Sequence, residues 1–125
     1  MSRRRVRQRA AVGVLGKALT RRAHGRCELC EGREGVRAWE IPPFPEEPDL
    51  DRALLACERC RAWLEGAPVE QVEAHFLGGA VWSAVPAVRL AAARLLLAVD
   101  FADDPWVRDA LDAAGVDPQT GEFAA

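Results

Sequence analysis

The 125-residue sequence predicts a mostly α-helical chain that carries a small four-cysteine module with a short β hairpin. Three observations lead there. The cysteines fall in two Cys-x-x-Cys pairs, Cys27 with Cys30 and Cys57 with Cys60. Apolar residues recur at helical spacing before the first pair and through much of the chain after the second. Between the pairs, residues 36–41 alternate weakly, which suits a short strand.

The elements follow in order. Residues 1–11 read as a basic, flexible arm. Residues 6–23 carry a helical pattern in which Val12, Leu15 and Leu19 form one stripe. Gly13 and Gly16 weaken that helix by roughly 1 kcal/mol each relative to Ala. Gly25 is placed as its stop, after an arginine-rich last turn. Pro42, Pro43, Pro45 and Pro48 forbid regular structure in the segment after the strand. A helix is expected from the second cysteine pair to Glu65, ended by Gly66. A short one is expected over 68–76, with Pro68 in its first turn. Residues 86–99 give the clearest helix, opened by Pro86. Its stripe of Val88, Ala91, Ala92, Leu95 and Val99 is widened by Leu90 and Leu97. Such girth-wide apolarity suits a deep core helix or a homodimer contact. Asp104 and Pro105 are the cap and first position of a last helix, closed by Gly115. The expected organisation is the arm, a helix with the cysteine module over 12–66, and a helical segment over 67–125 packed on it as a single compact domain.

A two-residue gap lets both thiolates of a turn, or of a helix's first turn, face one ion. Two such pairs complete a tetrahedron. The spacing therefore points to one structural Zn²⁺ held by Cys27, Cys30, Cys57 and Cys60. Iron in the same site, a redox dithiol, or four unrelated buried cysteines are the alternatives. With a hairpin-like first pair and a helical second pair, the module reads as treble clef more than zinc ribbon. Gly25 and Gly32 flank the first pair, where a tight backbone is needed. A chain this small is marginal without a staple such as a metal.

Treble-clef sites often scaffold His-Asn-His nucleases, whose chemistry needs an imidazole beside a divalent ion. Here Glu40 stands where the catalytic histidine would be, in Trp39-Glu40-Ile41-Pro42-Pro43, and Arg61 follows the second pair. His24 and His75 match no motif position. The expectation is a non-catalytic protein, with a degenerate nuclease as the alternative. Glu40 is a candidate buried acid, paired with Arg59 or Arg61. Trp39, Trp63, Trp82 and Trp106 read as core filling, with base stacking as the alternative.

Three segments resemble the PhnA-like proteins, historically labelled alkylphosphonate utilisation operon proteins. They are the stretch from Leu15-Gly16-Lys17 through Cys27-Glu28-Leu29-Cys30, the Trp39-Glu40-Ile41-Pro42-Pro43 stretch, and Trp82-Ser83-Ala84-Val85-Pro86-Ala87-Val88 followed by Arg94-Leu95-Leu96. The resemblance implies that the four cysteines ligate zinc and that an all-helical segment follows them. It implies no particular activity. The sequence differs from longer members in its arginine-rich arm before Val12 and in having no C-terminal β-rich domain.

The formal charge of -2 hides an asymmetry. Residues 1–26 hold nine basic residues and no acid, leaving eight basic against 19 acidic residues in the remainder. Arg3, Arg4, Arg5, Arg7 and Arg9 are therefore candidate contacts to nucleic acid or to an acidic protein partner, or else pack on the body's own acidic face. No run of about 18 apolar residues suggests a membrane span, and no secretory signal pattern opens the sequence. The expected compartment is the cytoplasm, where paired cysteines more often bind metal than form disulfides.

Overall fold

The computed structural model describes residues 13, 15–98, 104–117 and 123. Arg3, Arg4, Arg5, Arg7, Arg9, Val12 and Val99 lie outside the described residues. The chain forms two compact units, one up to Arg61 and one from Ala62.

The first unit opens with helix α1, residues 15–23. Leu15 and Leu19 bury its apolar stripe. Its end differs from expectation. Gly25 donates to Thr20 O at 3.0 Å and His24 to Arg21 O at 3.4 Å, which is a Schellman pattern with His24 in the first position beyond the helix. His24 takes the left-handed conformation there (φ 55°), and Gly25 follows it. Histidine is among the few non-glycine residues enriched in that region.

Strand β1, Arg37–Glu40, pairs antiparallel with β2, Ala53–Ala56, with Ala38 opposite Leu55 and Trp39 opposite Leu54. The alternation expected over 36–41 does not continue through the strand: Ala38, Trp39, Glu40 and Ile41 are all buried. Between the strands runs the proline segment, then a single 3₁₀ turn over Leu50–Arg52. Asp49 caps that turn by accepting from the Asp51 amide at 2.8 Å. Arg52 ties the segment shut. Its Nη2 donates to the carbonyls of Ile41, Pro42 and Pro43, while the Ile41 amide donates to Arg52 O at 2.7 Å. α1 lies over the hairpin, and Leu15, Leu19, Ala38, Ala53 and Leu55 make one core with Ala23 and Val36 at its margin.

Helix α2, Glu58–Leu64, begins directly after Cys57. It ends as expected at Gly66, whose φ of +110° only glycine adopts at little cost.

In the second unit, α3 spans Gln71–Ala74, α4 Leu77–Ala80, α5 Pro86–Ala98 and α6 Pro105–Ala114. α4, α5 and α6 pack on one another. The short helix expected over 68–76 is displaced. Glu70 holds the N-cap place, so Pro68 lies before the helix rather than in its first turn. α5 is a core helix, since Val88, Leu90, Ala91, Ala92, Ala93, Leu95 and Leu96 are all buried. Asp104 precedes α6 as placed, but its carboxylate makes no bond to the helix's first amides. Trp39 and Trp63 fill core as expected. Trp82 does not, being 71% exposed. Val81 takes the inward direction at the end of α4, which turns its neighbour out. A Cβ on Gly78 would meet the Trp106 ring at 3.5 Å, an ordinary van der Waals contact. Trp106 also stacks on His75 with ring centroids 4.8 Å apart.

Gly16 lies within the helical pattern of α1, and a Cβ there would meet nothing within 4 Å. Gly16→Ala is therefore expected to stabilise the protein by about 0.5–1 kcal/mol, read as a higher urea midpoint at unchanged slope. Leu54, fully buried in β2, is the opposite case: Leu54→Ala should cost about 2–5 kcal/mol in the same measurement.

Candidate metal centre

The first cysteine pair sits in a tight turn. The Cys27 amide donates to Gly32 O at 2.7 Å, and the Glu31 amide to Cys27 O at 2.8 Å. Glu31, not a glycine, takes the left-handed position of this turn (φ 67°). Gly32 serves differently, since its amide donates to Cys30 Sγ at 3.4 Å. A Cβ on Gly32 would come within 3.3 Å of that sulfur.

The second pair sits where the sequence places it. Cys57 precedes α2, and Cys60 lies in its first turn with its amide donating to Cys57 Sγ at 3.5 Å. The first turn of α2 thus turns one amide onto the Cys57 sulfur.

What carries one pair to the other is Glu28, between the first two cysteines. Its amide donates to Leu55 O, and its carboxylate accepts from the Leu55 amide, both at 2.8 Å. The turn is thereby docked on β2, two residues before Cys57. Arg22 grips the same carboxylate with two bonds, Nε to Oε2 and Nη2 to Oε1, each 2.8 Å. Arg22 also donates to Ala53 O at 2.9 Å and Leu50 O at 3.0 Å. At the other end of the hairpin, Arg61 donates to Gly35 O at 2.7 Å and Ala56 O at 3.3 Å. α1, the cysteine turn, the hairpin and α2 meet through these two arginines.

The four sulfurs lie within 4.8 Å of one another, and Cys30 Sγ and Cys57 Sγ are 3.7 Å apart. A tetrahedral ion with metal–sulfur bonds of about 2.3 Å requires sulfurs about 3.8 Å apart. The Cys30–Cys57 pair stands at that spacing and the whole cluster lies within 4.8 Å; Cys27, Cys57 and Cys60 are buried while Cys30 is half-buried. None of the four is in a disulfide. They form a site able to hold a metal ion.

Without a cation the four groups cannot all ionise. The Cys60 thiol donates to Cys27, which holds the Cys27 thiol down at about 4 and pushes Cys60 up. Burial pushes the Cys30 thiol up. Burial opposes the charge of Arg59, but its bond to the Cys30 sulfur and the fields of Cys60 and Cys57 hold it more firmly protonated than usual.

The sequence-predicted residues are distributed as follows. The four cysteines converge. Glu40 is the one buried charged side chain among the described residues. Its proposed partner Arg61 is engaged with the Gly35 and Ala56 carbonyls. His24 closes α1 and His75 stacks on Trp106, so both histidines have structural places. Arg22 and Glu28 went unremarked as individuals in the sequence, because Arg22 was one of many in a basic run and Glu28 one of many acids, while Arg59, considered there only as a partner for Glu40, stands beside Cys30. The position of Glu28 inside a Cys-x-x-Cys pair was the available signal.

The chain matches no protein-family model, no curated protein and no solved structure.

Two outcomes follow from this geometry. Glu28→Ala strips the Leu55 amide and Arg22 of their partner; it should cost about 2–3 kcal/mol in chemical denaturation, and Glu28→Gln less, since it still accepts from Leu55. Metal binding must expel the protons of Cys30 and Cys60, whose thiols are raised. Apparent metal affinity should therefore weaken as pH falls, by roughly tenfold per unit for each proton displaced, in a chelator competition series from pH 8 to about 6.

Proposed function

We propose that this protein is a non-catalytic zinc-binding module of the PhnA-like type, whose Cys27, Cys30, Cys57 and Cys60 hold one structural Zn²⁺ in a treble-clef arrangement. The observation that carries this reading is the convergence of four sulfurs to within 4.8 Å of one another from a tight turn and a helix start. A turn joined by a hairpin to a helix is the treble-clef order of parts. Four protein ligands close the coordination sphere, leaving no position for water or substrate, which is the mark of a structural site. Thiolates suit zinc, and equally an iron centre, by softness. Zinc is the assignment because two Cys-x-x-Cys pairs closing a four-cysteine cage are a standard structural zinc arrangement. When bound, the ion would neutralise the thiolates and lock α2 to the hairpin.

The surroundings support binding rather than catalysis. Glu40 occupies the position of a nuclease histidine but is fully buried, so it faces no substrate. The arginine-rich arm and a reduced, disulfide-free thiol set fit a cytoplasmic adaptor with a nucleic-acid or acidic protein partner. No described helix is long and apolar enough to cross a membrane.

Elemental analysis of protein purified without added metal should give about one zinc per chain and a colourless sample. Stripping the metal should unfold the first unit, read as lost near-ultraviolet signal, and zinc should restore it. Cys60→Ser should lower the melting temperature sharply. Stoichiometric iron, or a metal-free chain that melts at the same temperature, would reject the assignment.

A further inference from the structure

A second site lies in the first unit, away from the cysteines. A cleft of about 720 Å³ runs between α1 and β1, lined by Gly13, Gly16, Lys17, Thr20, Arg21, Val36, Arg37, Ala38 and Leu55. We infer that this cleft binds the phosphodiester backbone of a nucleic acid, through Lys17, Arg21 and Arg37. The inference rests on the reading of this protein as a zinc-stabilised binding module and gives that module its ligand.

Four observations carry it. First, the lining holds three cations and a hydroxyl but no carboxylate, in a protein of net charge -2 with 19 acidic residues. Acid-free walls of one sign concentrate field in a cleft and attract a polyanion.

Second, the cations are available. Lys17, Thr20, Arg21 and Arg37 are exposed. Among the described residues none of the three cations is in an ion pair or a side-chain hydrogen bond. Neighbouring arginines are otherwise used: Arg22 grips Glu28, Arg52 the proline segment, Arg61 the Gly35 carbonyl. The fold thus separates arginines that build the unit from cations that face the cleft.

Third, Gly13, Gly16, Lys17 and Thr20 recur at spacings of three, one and three, which is a single helix face. It is not the face buried by Leu15 and Leu19. Two glycines on one helix face cost about 1 kcal/mol each. Packing does not require them, because a Cβ on either meets nothing within 4 Å. Their effect is a shallow wall that lets a ligand's backbone come close to α1.

Fourth, part of the cleft is apolar. Val36, Ala38 and Leu55 offer an apolar floor against which a sugar can rest.

The test uses the full-length, zinc-loaded protein and fluorescence anisotropy with labelled 20-nucleotide DNA, single-stranded and duplex, across a salt series. Binding to either form is expected, weakening steeply with salt. The Lys17→Ala, Arg21→Ala, Arg37→Ala triple variant should weaken binding at least about tenfold at low salt and flatten the slope of log Kd against log salt by about 0.7–0.9 per cation removed. Gly16→Glu places a carboxylate in the cleft on a helix that tolerates it. It should weaken binding while leaving the melting temperature equal or higher, a combination that loss of structure cannot give. Unlabelled polyglutamate should compete far less well than unlabelled DNA. The inference is overturned if the triple variant binds like the parent, if only deletion of residues 1–9 abolishes binding, if polyglutamate competes equally, or if folded, zinc-loaded protein binds neither DNA. Zinc content is measured on every sample. Zinc-loaded protein that binds no DNA rejects this cleft alone, whereas DNA binding through the cleft by a folded zinc-free chain rejects the metal assignment alone.

Discussion

The structure depends on closing the segment between the two cysteine pairs. Residues 31–56 have to return on themselves so that Cys57 arrives beside Cys30. The hairpin available for that has four residues per strand, and a two-stranded sheet of this size is marginal in water. Three attachments hold it. Arg52 shuts the proline end, the Glu28–Leu55 exchange docks the cysteine turn on β2, and the sulfur cluster pins α2 to that turn. Clamping the ends of a long loop removes more chain entropy than clamping a short one, so the cysteine end is where a metal contributes most.

The same closure sets up the electrostatics of the site. Four sulfurs within 4.8 Å would repel one another as thiolates. Without a cation, Cys27 and Cys60 settle into a thiolate accepting from a thiol. Four thiolates around a divalent ion still leave an excess of negative charge. The Gly32 and Cys60 amides donate to Cys30 and Cys57, and Arg59 stands beside Cys30. Outer partners of this kind orient ligands and temper their charge. The arginine content of the protein therefore has three uses. Arg22, Arg52 and Arg61 satisfy carbonyls and a carboxylate, Arg59 faces the sulfurs, and Arg21 and Arg37 line an acid-free cleft with Lys17.

Much of this was legible because it depends on local rules. The helix over 86–99 was evident from its apolar girth, and Gly66 and Gly115 were evident stops because each sits in the left-handed region. The cysteine spacing gave the four-sulfur cluster that could hold a metal, and the position of Cys57 before a helix followed from the pattern after it. The failures share a cause. β2 is an unbroken run of four buried apolar residues, Ala53–Ala56, with no alternation to mark a strand. His24 replaced Gly25 at the end of α1 because the Schellman bonds, not composition, chose the residue. The exposure of Trp82 depends on which of two adjacent apolar residues points inward. In each case the deciding partner is distant or the competing choice is a near neighbour.

The sequence by itself determined which four cysteines could act together as ligands and the helical character of the chain. Both arise from spacing along a few residues, and such spacing is a local property of the backbone. Only the tertiary structure decided how the pairs meet. A carboxylate between two cysteines gains its meaning from a strand amide 27 residues away, Leu55, and from an arginine six residues before it, Arg22. It also decided which cations are consumed by carbonyls and which face an open cleft. That division depends on where each side chain lands in the fold, and a count of charges along the chain carries no such information.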